Sequence, residues 1–212
     1  MSGIHLALLG MSFGGGIPDI GAAYEGGFFA GQISTAGNGI ADYNLVIAPK
    51  SSGQNSSKQW KTSDTSTAGT SSVIDGPTNS SNMNNASHPA AEFCEGLTIG
   101  GFSDWYMPAT NELEVCYFNL KPSTTSNNTG SGTNTNAVPS RGSNYTAGTP
   151  AQTAATDFQT GNTEAFTTLT YWASTETAPS FAMTQDFNSG LQDPITTKTN
   201  STRVRAVRRV AV

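Results

Sequence analysis

The chain has 212 residues, only 12% of them charged, and a formal net charge of −5. That length suffices for one full domain with a sizeable core. The charge share is about half that of an average soluble domain, so uncharged hydroxyls and amides must cover much of the surface. The acidic field, with a pI near 4.8, repels polyanions and argues against a nucleic-acid reader, which needs a broad basic face.

The opening "MSGIHLALLGMSFGGG" is mildly apolar, and no Lys or Arg precedes Lys50. It lacks the basic n-region of a secretory leader and is too short and glycine-broken to span a bilayer, so neither a leader nor an anchor is expected. The runs "IHLALL", "GGFFAGQIS" and "YNLVIAPK" are short, apolar or aromatic, and bounded by Gly, Asn or Pro, which predicts strands. Residues 1–50 therefore form a glycine-rich N-terminal region. Its first forty residues carry charge only at Asp19 and Glu25 and suit burial in an interface as a docking arm. Residues 51–83 read as a long polar loop pinned at the lone aromatic Trp60.

The remainder, 84–212, reads as the main domain. Ser87 can cap a helix over about 88–97, with Pro89 in its first turn. Thr110 or Asn111 caps a second helix, to about Leu120; with Asn111 as cap, Glu114 falls at the third helical position. Leu113, Cys116, Tyr117 and Leu120 recur at helical spacing and should face the core. Glu112 and Glu114 suit the positive end of the helix. From Ser123 to Asn136 every residue is Ser, Thr, Asn or Gly, and similar material continues to about Thr163. Composition of this kind ordinarily reads as disorder; the expectation here is a packed loop held by side-chain to backbone hydrogen bonds or by a neighbouring subunit. Long ordered loops are where binding residues concentrate.

The last fifty residues read as β. "SFAMTQDF" alternates, with Phe181, Met183 and Phe187 on one face; "NSG" turns, and a second extended segment runs to Lys198. In the final strand Val204, Ala206, Val210 and Val212 share a face with Arg208, for which Glu176 is the expected partner. "RVRAVRR" holds four of the five arginines. In an acidic chain it reads as a strand with exposed or paired arginines, not a nucleic-acid patch.

Reactive chemistry is sparse. Cys94 and Cys116 are too few for a disulfide framework and match no zinc spacing, with only His5 and His88 to supplement them. They read as buried thiols, with a single bridge left open. His88 has no evident nucleophilic partner. Asn-x-Ser/Thr triplets, as at Asn55, Asn144 and Asn200, arise by chance in so Asn- and Ser-rich a chain. A paired-carboxylate glycosidase would need acids such as Asp157, Glu164, Asp186 and Asp193 to meet in space. In "GFSDWYMP", Asp104 can accept backbone N–H groups in a tight turn, Trp105 can plug a core, and Pro108 sets the chain before the helix. With no nucleophile–base pair nearby, this stretch reads as structural.

Three blocks carry a resemblance: "GGFSDWYMPATNELEVCYF" at 100–118, "YWASTET" at 171–177 and "RVRAVRR" at 203–209. In this order they resemble the C-terminal adhesin domain of collagen-like bacterial proteins (Lcl_C), widespread in bacteriophage structural proteins. Phe102, Tyr106 and Met107 stand where that pattern more often has Tyr, Arg and Leu. The opening "IGAAYEGGFFAGQIS" is also similar to phage particle proteins that carry this domain. The resemblance covers about residues 84–212. It implies a C-type-lectin-like α+β fold with two helices, small twisted antiparallel sheets and long projecting loops.

It also implies a non-enzymatic virion surface protein, made in the host cytoplasm and released in particles on lysis. The expected role is a tail-fibre or receptor-binding module, or alternatively a head-decoration or head-fibre subunit. Asp104, Trp105, Pro108, Trp172, Glu176 and Arg208 form its expected core motif. No cofactor is expected; the Glu-Pro-Asn and Trp-Asn-Asp patterns of lectin calcium sites are lacking, though calcium stays open. Other virion proteins, through the arm, and a host glycan or protein are the expected partners, in a homo-oligomer, a trimer above all. Asn144, Tyr145, Asn162 and Phe166 combine aromatic platforms with amides and are the candidate ligand contacts.

Overall fold

A computed structural model describes residues 16–212; the expected strand "IHLALL" and His5 lie outside them. In chain order come strands β1 (Ala23–Tyr24), β2 (Gly27–Ile33) and β3 (Tyr43–Ile47), a one-turn helix α1 (Lys50–Gly53) and strand β4 (Gln54–Gln59). Helices α2 (Gly76–Ser81), α3 (Pro89–Glu95) and α4 (Thr110–Leu120) come next, then β5 (Ala137–Val138). Strands β6 (Thr170–Ala178), β7 (Phe181–Asp186), β8 (Gln192–Thr197), β9 (Ser201–Arg205) and β10 (Val207–Ala211) complete the described residues. Among the described residues the architecture is mixed α+β: four helices and two curled five-stranded sheets. One sheet runs β1-β2-β3-β10 with β5 on β2, the other β4-β9-β6-β7-β8.

Residues expected as part of a docking arm lie inside this body. β2 and β3 pair with each other and β3 with β10, so residues 27–47 sit in the first sheet. The polar stretch 51–83 is likewise not one loop. "QNSSKQ" has no apolar residue to mark a strand, yet β4 pairs with β9 from Gln54 opposite Arg205 to Gln59 opposite Ser201. Trp60 does pin the chain just past β4: it is fully buried and its Nε1–H donates to the Ala173 carbonyl at 2.9 Å.

The expected single C-terminal strand is two. β9 belongs to the second sheet and β10 to the first, and the chain changes sheets at Ala206, whose N–H donates to Gly53 and whose carbonyl accepts from Ala48. Val204 and Ala206 are buried, but Val212 is 72% exposed.

Period-two alternation explains the aromatic blocks. The described residues form two hydrophobic cores. Tyr171 and Ala173 of β6 enter one, and Trp172 between them enters the other. In β3 and the residue after it, Leu45 and Ile47 face the first core while Val46 and Ala48 face the second. "WYM" does the same: Tyr106 packs in the first core, Trp105 and Met107 in the second, and Tyr106 exchanges both backbone hydrogen bonds with Val207. The three tryptophans and Tyr171 are each no more than 1% exposed.

Candidate functional site

Three of the four C-terminal arginines, Arg205, Arg208 and Arg209, act as staples. Arg205, fully buried, donates Nη2–H to Glu164 at 2.6 Å and Nε–H to the Ala48 carbonyl. Burial pulls its pKa down to about 10, with the Glu164 carboxylate working against that fall. Arg208 grips Asp104 in a bidentate pair at 2.7 and 2.9 Å and stacks on Phe102, its guanidinium 3.8 Å from the ring centre. Glu25 lies 3.9 Å away on another side. The expected partner Glu176 sits elsewhere: it pairs with buried Lys198 at 3.2 Å and accepts the Thr67 N–H. Asp104 therefore serves an arginine rather than backbone N–H groups, because β10 carries Arg208 past the turn that holds it.

Arg209 takes Glu112 at 2.8 Å. Glu112 is no exposed helix-end charge. It is fully buried and also accepts from the Tyr106 hydroxyl and the Ala109 N–H. Burial raises its pKa, opposed by Arg209. Its bond to Ala109 makes Ala109 the residue before the helix and Glu112 the third helical position, in place of the expected Asn111 and Glu114. The helix α3, by contrast, starts one residue later than expected, after His88.

Glu114, also fully buried, turns toward the long loop. It binds Arg141, the Tyr145 hydroxyl at 2.7 Å and the Asn134 amide at 2.5 Å. Lys121, Asn127 and Asn136 complete the loop's anchorage. Lys121 Nζ donates to the Thr125 and Pro150 carbonyls, and burial lowers its pKa. Asn127 accepts the Tyr117 hydroxyl and donates to Pro150. Asn136 donates to the Ser34 carbonyl. At Gly132 (φ 111°) an added Cβ would run into the Tyr145 ring, so the loop crosses that ring where only glycine fits.

These anchors revise the candidate ligand contacts. Tyr145 is 5% exposed against Tyr117 and Phe118, and Phe166 is 1% exposed and stacked on Phe187 at 3.9 Å. Neither offers a platform to a ligand, because the loop folds both rings into the core. Asn144 and Asn162 are exposed, Asn144 accepting from Thr133 and Asn162 donating to the Thr156 carbonyl.

The second sheet carries an open cleft of about 420 Å³ across β6, β7, β8 and the start of β9. Hydroxyls from Thr170, Thr184, Thr196, Ser201 and Thr202 line it with the Asn200 amide; Asp186, Asp193 and Leu191 complete it. Of four carboxylates weighed for a paired site, Asp186 and Asp193 share this cleft, while Glu164 is committed to Arg205 and exposed Asp157 offers it a backbone carbonyl. Asp186 Oδ1 accepts the Asn188 N–H and both the N–H and hydroxyl of Ser189. Asp193 accepts the Ile195 N–H and the Thr196 hydroxyl. The sequence signal for the cleft is the alternation itself: Thr184 and Asp186 face away from Met183 and Gln185, a polar face masked by the apolar members of the strand.

The remaining reactive groups are enclosed. Cys94 and Cys116 are free and fully buried, and burial pushes both thiols up. His88 is 5% exposed, against the edge of Trp60. Asn85 Oδ1 accepts from both Ser87 N–H and His88 Nδ1, so His88 Nε2 is left to accept the Thr67 hydroxyl. Burial, then the Lys61 and Lys198 charges, lower its pKa to about 4. No group of three or more His, Cys, Asp or Glu that could hold a metal occurs among the described residues, and no helix there is long and apolar enough to cross a membrane. No protein-family model matches the chain, and no curated protein matches it in sequence.

Proposed function

We propose that this chain is a non-enzymatic recognition module of the C-type-lectin-like kind, displayed on a bacteriophage virion and binding a host-surface glycan or protein. The observation that carries the reading is the pre-organised polar loop. Buried Glu114, Lys121, Asn127, Asn134 and Asn136 all serve to hold residues 123–163 in one arrangement. The side chains that the loop leaves exposed are mostly Ser and Thr hydroxyls, with the amides of Asn144 and Asn162. Binding then immobilises little further chain, and rigid display of this kind favours affinity. The enclosed thiols and imidazole, and the carboxylates already engaged in turns and ion pairs, speak for recognition over catalysis.

Saturating free protein is expected to block adsorption of the particle that carries it; unchanged adsorption overturns the reading. Copy number in purified particles separates a fibre module, at about tens of copies, from a decoration subunit, at about hundreds.

A further inference from the structure

We propose that the cleft across β6 to β9 is the ligand subsite and that its ligand is a neutral, polyhydroxylated one: a unit of an uncharged glycan. This rests on the recognition reading above and narrows it. At about 420 Å³ the cleft falls within the size range of small-ligand pockets. Its lining matches sugar chemistry, since adjacent hydroxyls on a pyranose need donors and acceptors in alternation. Thr170, Asn200 and Ser201 line it with side chains that make no intramolecular hydrogen bond among the described residues, and Asp186 Oδ2 is likewise uncommitted. Behind them the Thr184 and Thr196 hydroxyls meet at 2.9 Å, and Thr196 donates to Asp193, fixing the acceptors.

Charge sets the selectivity. Two carboxylates and no cationic side chain line the cleft, so a sialate, uronate or phosphate would meet like charge. Leu191, in the lining and 42% exposed, offers an apolar patch for the C–H face of a sugar. Leu169 and Ile195, both exposed, adjoin the lining residues Thr170 and Thr196 in sequence. No aromatic ring lines the cleft. A single sugar should therefore bind at about millimolar strength and depend on several copies acting together.

The rim is held by the long loop. The Asn128 N–H donates to the Ser189 carbonyl, the Ser131 hydroxyl accepts the Gln192 N–H, and the Gly132 N–H donates to Gln192 Oε1. At Gly190 (φ 74°) a Cβ would enter the Tyr117 ring, which seats this turn against α4. The loop thus acts on the cleft as a buttress.

The test is an array of immobilised neutral hexose and N-acetylhexosamine oligosaccharides beside sialylated and uronate-bearing ones, probed with the full chain. Neutral glycans are expected to bind. The double variant Asn200→Ala/Ser201→Ala should lose about tenfold or more, the loss expected for two hydrogen bonds. Its melting temperature should stay within about 2 °C, as for surface changes. Should the double variant misfold, Asp193→Asn, which keeps an acceptor for Ile195, is expected to relax the discrimination against acidic glycans. Neutral binding that survives the folded double variant, discrimination against acidic glycans that is unchanged in Asp193→Asn, or a preference of the unaltered chain for acidic glycans overturns the cleft assignment and leaves recognition standing. Blocked adsorption with no glycan bound overturns the ligand class alone. Loss of both adsorption blocking and glycan binding overturns the recognition reading as well.

Discussion

The body around the tryptophans and the loop over 123–163 are both ordered, but by different physics. The body is held by apolar area: Trp60, Trp105 and Trp172 share one core whose walls are β3 and β6. The loop sends Ala137, Tyr145 and Phe158 into the first core and is otherwise held by hydrogen bonds from a few enclosed polar side chains. Burial of a large aromatic is worth several kcal/mol, whereas one net hydrogen bond gives about 1 kcal/mol. Damage to the body should therefore be global, and damage to the loop local.

The largest effect is expected from Trp172→Ala, which empties the second core and removes the Nε1–H bond to the Lys58 carbonyl. A loss of about 3–5 kcal/mol, read as a fall of roughly 10 °C in melting temperature, should appear in all probes together. Glu164→Ala comes next. It leaves Arg205 buried without its carboxylate and should cost about 3 kcal/mol, again globally. A stability unchanged by either variant would remove the distinction from the body's side.

In the loop, Asn127→Ala deletes the acceptor of the Tyr117 hydroxyl and the donors to the Thr146, Ala147 and Pro150 carbonyls. It should cost about 1–2 kcal/mol. Hydrogen exchange is expected to quicken between residues 123 and 150 while amides of β3 and β6 keep their protection. Exchange that quickens equally in both regions would show that body and loop unfold as one unit.

The smallest effect is pH-dependent. His88 is held neutral, with a folded pKa of about 4 against about 6.5 when unfolded. The unfolded chain therefore binds the extra proton between these values. The stability contribution is complete above pH 6.5 and is lost as pH falls through this window toward 4. Protonation would set an Nε2–H against Thr67 Oγ1, which already accepts from Lys61, with Lys198 also near and Glu176 opposing. After solvent screening the loss should be about 1–2 kcal/mol. His88→Gln should flatten the dependence of melting temperature on pH between 4 and 6.5, and a slope unchanged by this variant would assign it to other groups.

Much of this was legible in order and pattern. Helix spacing placed Leu113, Cys116, Tyr117 and Leu120 in the core, and the run of Ser, Thr, Asn and Gly marked a loop, though by composition alone a disordered one. The candidate site was less so. Tyr145 and Phe166 have the composition of ligand platforms, but their burial depends on Glu114 and Phe187, distant in sequence. The cleft draws on segments from Thr170 to Thr202 that only strand pairing brings side by side.

Local chemistry, then, determined by itself that Trp60 and Trp105 are buried, where α3 and α4 start to within a residue or two, and that the surface would be hydroxyl and amide. Those features come from periodicity and capping within a few residues of chain. The tertiary structure alone decided that "QNSSKQ" is a strand, that the C-terminal run splits between two sheets at Ala206, and which acid each arginine holds. Such choices rest on pairings between residues tens to hundreds of positions apart, where several carboxylates compete for each cation and only the packed geometry selects one.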